Sequence, residues 1–190
     1  MKVIPVAALA ALLISCSDAD QTSLTEQTAL LSDQLTFLRF SDGAYAAAEK
    51  SGSFWAVPGQ ARSITLRYTD TGAEFMHFEV GPNSLTSTDS VEISVQVDAN
   101  GDFAFHFEPS GLKFNPDAPA LLRAEYSRIN GDVNADGDVD TSDQLLTIHA
   151  GFWKRELPLL PWVKIFSVSL NQTVERAKIY DFTSFGMAVD

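Results

Sequence analysis

The sequence predicts a mainly β fold, an antiparallel β-sandwich with an acidic loop inserted between its strands. Three observations predict it: short runs alternate apolar and polar residues, turn residues separate those runs, and no long amphipathic helix pattern follows residue 40. The chain has 190 residues, 45% of them apolar, including thirteen phenylalanines. Without a leader, about 175 residues remain, which suits one globular domain with a tether. A domain of that size buries a core without cross-links. The net charge of −12 disfavours phosphate backbones, so no nucleic-acid partner is expected.

The first element is a leader. Lys2 gives a positive start, and Val3 to Ile14 is almost wholly apolar. That stretch is too short to cross a bilayer but suits a secretory signal, so residues 1–15 are expected to be removed. Cys16 is the only cysteine, which excludes an internal disulfide. Leu13-Ile14-Ser15-Cys16 resembles the bacterial lipobox, in which the cysteine becomes the acylated N-terminus. Ser17, rather than Asp, follows it, and by that resemblance the expected location is the outer membrane. The resemblance implies attachment to a membrane through the lipid on Cys16 and export to the cell envelope. Residues 16–50 follow as a polar tether, with a short helix expected around Thr25 to Phe37.

The sandwich is expected over residues 51–190. Ser63 to Thr69, Phe75 to Val80, Val91 to Val97 and Phe103 to Phe107 all alternate with period two, as half-buried strands do. Asn100-Gly101 lies between the last two runs and predicts a two-residue hairpin turn, because both residues tolerate positive φ. The surrounding Asp98 to Asp102 is acidic but has no metal-loop spacing, so it reads as that turn. Leu121 to Tyr126, Lys164 to Leu170 and Thr173 to Tyr180 supply later strands.

Gly81-Pro82-Asn83-Ser84-Leu85 with Val91 to Val95, and Phe107 to Phe114 with Pro119 to Leu122, form two segments that resemble the ZU-type β-sandwich of ankyrins and netrin receptors and its bacterial relatives. Ala177 to Gly186 resembles the closing strand of those relatives. The likeness covers about residues 53–190 and lacks the family's Ile-Pro start. It implies a scaffold that binds a protein or glycan partner rather than one that catalyses.

The strongest local signal is Asp132-Val133-Asn134-Ala135-Asp136-Gly137-Asp138-Val139-Asp140-Thr141-Ser142-Asp143. Ca²⁺ is a hard cation that takes six to eight oxygens at about 2.3–2.6 Å. Asp132, Asn134 and Asp136 stand at positions 1, 3 and 5 of a twelve-residue loop. Gly137 permits the sharp turn at position 6, and Asp138 offers its carbonyl at position 7. Asp140 binds at position 9, directly or through water, and Asp143 closes the shell at position 12. Val139 is expected to point into the core. The loop resembles an EF-hand, and Asp at position 12 after Gly131-Asp132-Val133-Asn134 resembles one half of a dockerin repeat. Dockerins carry two such loops, each followed by a helix; only one occurs here. Leu145 to Phe152 fits a short helix or a strand.

No catalytic pattern stands out, and no enzyme is expected. His77, His106 and His149 lie far apart, and the first two sit in strand runs. Glu79 and Glu108 are not marked as an acid/base pair. Trp55, Trp153 and Trp162 suit packing better than a sugar-stacking platform. The expected protein is therefore a lipid-anchored envelope sandwich whose calcium loop orders the fold or gates a partner. The alternatives are a dockerin-like docking module, and a carbohydrate-binding protein or envelope enzyme without a familiar motif.

Overall fold

The alternating runs become strands. A computed structural model describes residues 29–190; the leader, Cys16 and the start of the tether lie outside the described residues. In chain order the elements begin with β1 (Ala29–Leu30), β2 (Thr36–Phe37), α1 (Asp42–Ala47), β3 (Ser51–Ala56) and β4 (Arg62–Arg67). Then come β5 (Glu74–Val80), β6 (Val91–Val97), β7 (Ala104–Glu108), β8 (Ala120–Glu125) and α2 (Thr141–His149). The chain ends with β9 (Gly151–Arg155), β10 (Trp162–Lys164), β11 (Ser167–Asn171), β12 (Val174–Ile179) and β13 (Ser184–Val189). Two antiparallel sheets result. The larger runs β1-β10-β9-β13-β7-β6-β3, with β2 beside β13, and the smaller runs β11-β12-β8-β5-β4.

The inner faces carry the alternate apolar residues that the period of two places there. Met76, Phe78, Val80, Leu122, Ala124, Ala177 and Ile179 from the small sheet meet Ile93, Val95, Phe105, Phe107, Phe152, Phe185 and Met187 from the large one. Each such side chain contributes about 1.5–3 kcal/mol when fully buried. The outer face of the large sheet has a second, smaller core. Trp153, Trp162 and Ala188 pack there with Leu35, and Leu30 and Phe37 lie against them. Gly186 admits the Phe37 ring, since a Cβ at that position would stand 2.7 Å from Cε1 of Phe37.

Three expectations need correction. From Ala29 onward the tether region belongs to the sandwich: Leu35, Leu38, Phe40, Ala44 and Ala48 are buried. The helix expected near residues 25–37 is, over the described part, β1, a 3₁₀ turn at Ser32–Gln34, and β2. Pairing with β10 and β13 wins over local helix propensity there. The β6–β7 connection is longer than a two-residue turn, with Val97 opposite Phe105 and only Gly101 at positive φ. Residues 38–40 hold it open, because Phe40 N–H donates to Gly101 O, and Phe103 N–H donates to Leu38 O.

Leu38 is the sharpest probe of that boundary. Leu38→Ala is expected to cost about 2–5 kcal/mol in urea unfolding, as a core truncation does; a loss of a few tenths would return this segment to a tether.

Candidate metal loop

The acidic loop lies between β8 and α2. Its approach is pinned first. Asn130 N–H donates to Arg39 O, Ser41 N–H donates to Arg128 O, and Arg128 makes a two-pronged bond to Asp70 at 2.8 Å on each oxygen. The Arg128 guanidinium also lies 4.4 Å from the centre of the Tyr68 ring. Its hydrogen bond is the first reason that the Asp70 carboxyl is held below its usual value.

Within the loop the acidic side chains fold onto the backbone. Asp132 Oδ1 accepts from Asp136 N–H and Oδ2 from Gly137 N–H, each at 3.1 Å. Asn134 Oδ1 also accepts from Asp136 N–H at 3.0 Å, and Asp136 Oδ1 accepts from Asp138 N–H at 3.0 Å. Asn134 Nδ2 donates to Asp136 Oδ2 at 2.8 Å. Three of the expected ligands, Asp132, Asn134 and Asp136, therefore meet around one turn. Gly137 takes φ +98°, as position 6 requires.

Asp143 closes the loop from the far end. Its Oδ1 accepts from Val133 N–H at 2.7 Å and Asn134 N–H at 3.1 Å, and its Oδ2 accepts from Asp140 N–H at 2.9 Å. The side chain is buried, with 2% of the residue exposed. These donors, Asp140 N–H foremost, hold the carboxyl below its usual value although burial acts the other way. Asp140 caps α2 by accepting from Ser142 N–H at 2.7 Å. The helix is thus fixed by the same carboxylates that bound the loop. Asp138 is exposed and joins the network through its N–H alone.

The donor set suits a hard cation. A carboxylate offers about four lone-pair sites, and most of the loop's carboxylate oxygens spend one on a backbone N–H. Convergence is another matter: among the described residues, no three His, Cys, Asp or Glu side chains are gathered to hold a metal ion. The oxygens serve the loop's own N–H groups.

Val139 does not enter the core. It is 69% exposed and lies over Gly131, while Val133 is buried and joins the main core. Position 2 is therefore the anchor, because the Asp143 bond to its N–H turns that part of the loop inward. The segment after Asp143 is the helix α2, and the strand β9 begins only at Gly151. Leu145 is 55% and Ile148 68% exposed, so α2 shows apolar side chains to solvent.

The other candidates separate. Glu79 lies on the small sheet and Glu108 on the large one. Trp55 is exposed, whereas Trp153 and Trp162 are buried and donate their indole N–H groups to Ala188 O and Ser32 Oγ. His77 Nδ1 bonds Thr65 Oγ1 at 2.8 Å, and His149 ends α2. His106 links Ser184 Oγ at 2.9 Å to Asp98 Oδ2 at 3.2 Å, tying the β6–β7 turn to β13. Sequence spacing carries no sign of that chain, since Ser184 reaches His106 only by cross-strand pairing.

Ala135 sits at φ +59°, the left-handed region in which a side chain costs about 1–2 kcal/mol. Ala135→Gly is expected to stabilise the calcium-free protein by about 1 kcal/mol in denaturant melts; a destabilised variant would mean that this turn is not held left-handed in solution. Comparisons with protein-family models, with curated proteins and with solved structures found no match.

Proposed function

We propose that this chain is a calcium-binding, lipid-anchored cell-envelope protein in which the metal orders a β-sandwich used for structural or interaction purposes. The observation that carries the reading is the position of Asp143. One buried carboxylate ties positions 2, 3 and 9 of the acidic loop together and opens α2. A cation bound by Asp132, Asn134, Asp136, the Asp138 carbonyl, Asp140 and Asp143 would therefore act on the helix and on the buried Val133. Its chemistry would be to offset the repulsion among five aspartates that lie within twelve residues. Ligand that binds only the folded loop adds to stability by mass action. The lipobox-like Leu13-Ile14-Ser15-Cys16 supports the anchor, and the ZU-type resemblance supports binding over catalysis.

A second reading is a dockerin-like docking module. The specific support is α2 itself, directly after the loop, with Leu145 and Ile148 turned to solvent. Titration against a cohesin domain decides it, with Leu145→Asp and Ile148→Asp as controls. Binding that either substitution abolishes would favour this reading, and no binding would remove it.

The main reading is tested by melting the protein in calcium and in chelator, beside Asp132→Ala. A lone extracellular loop binds at about 10⁻⁴–10⁻³ M. Ten millimolar calcium, at about 10–100 times that constant, adds about 1.4–2.7 kcal/mol. For a domain of this size the melting temperature should rise by about 3–10 °C. Asp132→Ala should lose that rise. An equal melting temperature in chelator and calcium would remove the metal from the reading.

A further inference from the structure

β9 and β10 pair as a hairpin, with Val163 opposite Lys154 and Lys164 opposite Trp153. The connection reads Glu156-Leu157-Pro158-Leu159-Leu160-Pro161. Its leucines face outward: Leu157 is 59%, Leu159 96% and Leu160 44% exposed. Leu31 is also exposed, and it follows Leu30, which pairs with Trp162 at the end of the same connection. Exposed leucines scattered singly need no explanation, but several on one loop tip mark a contact surface.

We propose that this loop enters the lipid surface of the leaflet that holds the acyl chains on Cys16. Two features favour lipid over a protein neighbour. The first is the backbone. A loop that enters hydrocarbon must leave few N–H groups without partners. Pro158 and Pro161 have no N–H, and Leu160 N–H donates to Leu157 O at 3.0 Å. Half of the six-residue connection thus brings no free donor. The second is the route to the anchor. The chain reaches β1 through residues 17–28, which extend to about 40 Å when straight. Ala29 lies opposite Val163, which in turn lies opposite Lys154, three residues before the first of these leucines. A lipid on Cys16 therefore keeps the loop within tether reach of the bilayer. The inference takes its leaflet from the proposed acylation, and its loop from exposure and backbone alone.

The test uses the full chain in phosphatidylcholine vesicles, carrying an environment-sensitive dye at Leu159→Cys or, at the opposite end of the sandwich, at Ala99→Cys. The unsubstituted chain sets the background from Cys16. The dye at 159 should shift its emission to the blue, and lipids with a quencher in the upper acyl chain should quench it several-fold more than the dye at 99. Equal quenching at both positions, or none at 159, overturns the proposal and leaves a protein neighbour for the leucines. The mass of the N-terminal peptide from the same sample reports acylation separately. An unmodified Cys16 with a quenched dye at 159 sinks the anchor and keeps the loop, and an acylated Cys16 with an unquenched dye does the reverse.

Discussion

The fold depends on a seam of phenylalanine rings between the two sheets. Phe78 on the small sheet meets Phe54, Phe107, Phe114 and Phe182 at centroid distances of 4.9–6.4 Å. At the other end of the sandwich, Phe40, Phe75 and Phe103 cluster with Tyr68 and Tyr126. Most pairs are tilted or edge-on, the arrangement that ring quadrupoles favour. These rings fill the space between the sheets to the density of a solid, so each sheet fixes the position of the other. The acidic insertion inherits that rigidity. β8 belongs to the small sheet and β9 to the large one, so the loop and α2 bridge the end of the sandwich. With both ends of the insertion fixed, a change of charge inside it cannot be absorbed by sliding the flanking strands.

That end of the molecule is crowded with carboxylates, and the sequence supplies few cations to answer them. Arg128 answers Asp70, and Arg39 answers Asp102 at 3.4 Å. Burial raises the Asp102 pKa, and the nearby Asp98 adds to the rise. The loop itself has no basic residue between Asp132 and Asp143. Backbone N–H groups do the work instead, which is why Asp143 is tolerated at almost complete burial. Dipoles of this kind satisfy lone pairs without cancelling net charge. A cation would cancel it, and that physical difference separates an acidic turn from a metal loop.

Much of the architecture was legible because period-two alternation is a local property. β4, β5, β6, β7, β8 and β12 fall within a residue or two of the alternating runs. The acidic loop was legible by spacing, and so was its turn glycine. Residues 29–48 were not, because Leu35, Leu38, Phe40, Ala44 and Ala48 follow no single period. They are buried through brief pairings with β13, Gly101 and Ile129, which no window of sequence contains. Val139, at position 8 of the loop, was expected to enter the core, and Val133 is the residue that does. The choice between them came from Asp143, ten residues further on, which draws in the N–H of Val133. The helix α2 was ambiguous by apolar content, yet its start was written in Asp140 and Asp143 as a reciprocal cap.

The two unusual surfaces of the molecule are separated by one strand. α2 runs into β9 at Gly151, and β9 ends at Arg155, immediately before the leucine loop. The acidic loop and the leucine loop therefore lie at opposite ends of the sandwich, and β9 is paired on both sides, to β10 and β13. A strand held that way transmits position but not charge. A molecule held to a bilayer by the leucine end thus turns its acidic end, with Val139, Leu145 and Ile148, away from the lipid. That orientation suits the chain's charge, since an acidic end brought against anionic headgroups would be repelled. Lipid contact at one end and a cation at the other would not compete for the same residues, which is the arrangement an anchored binding scaffold would require.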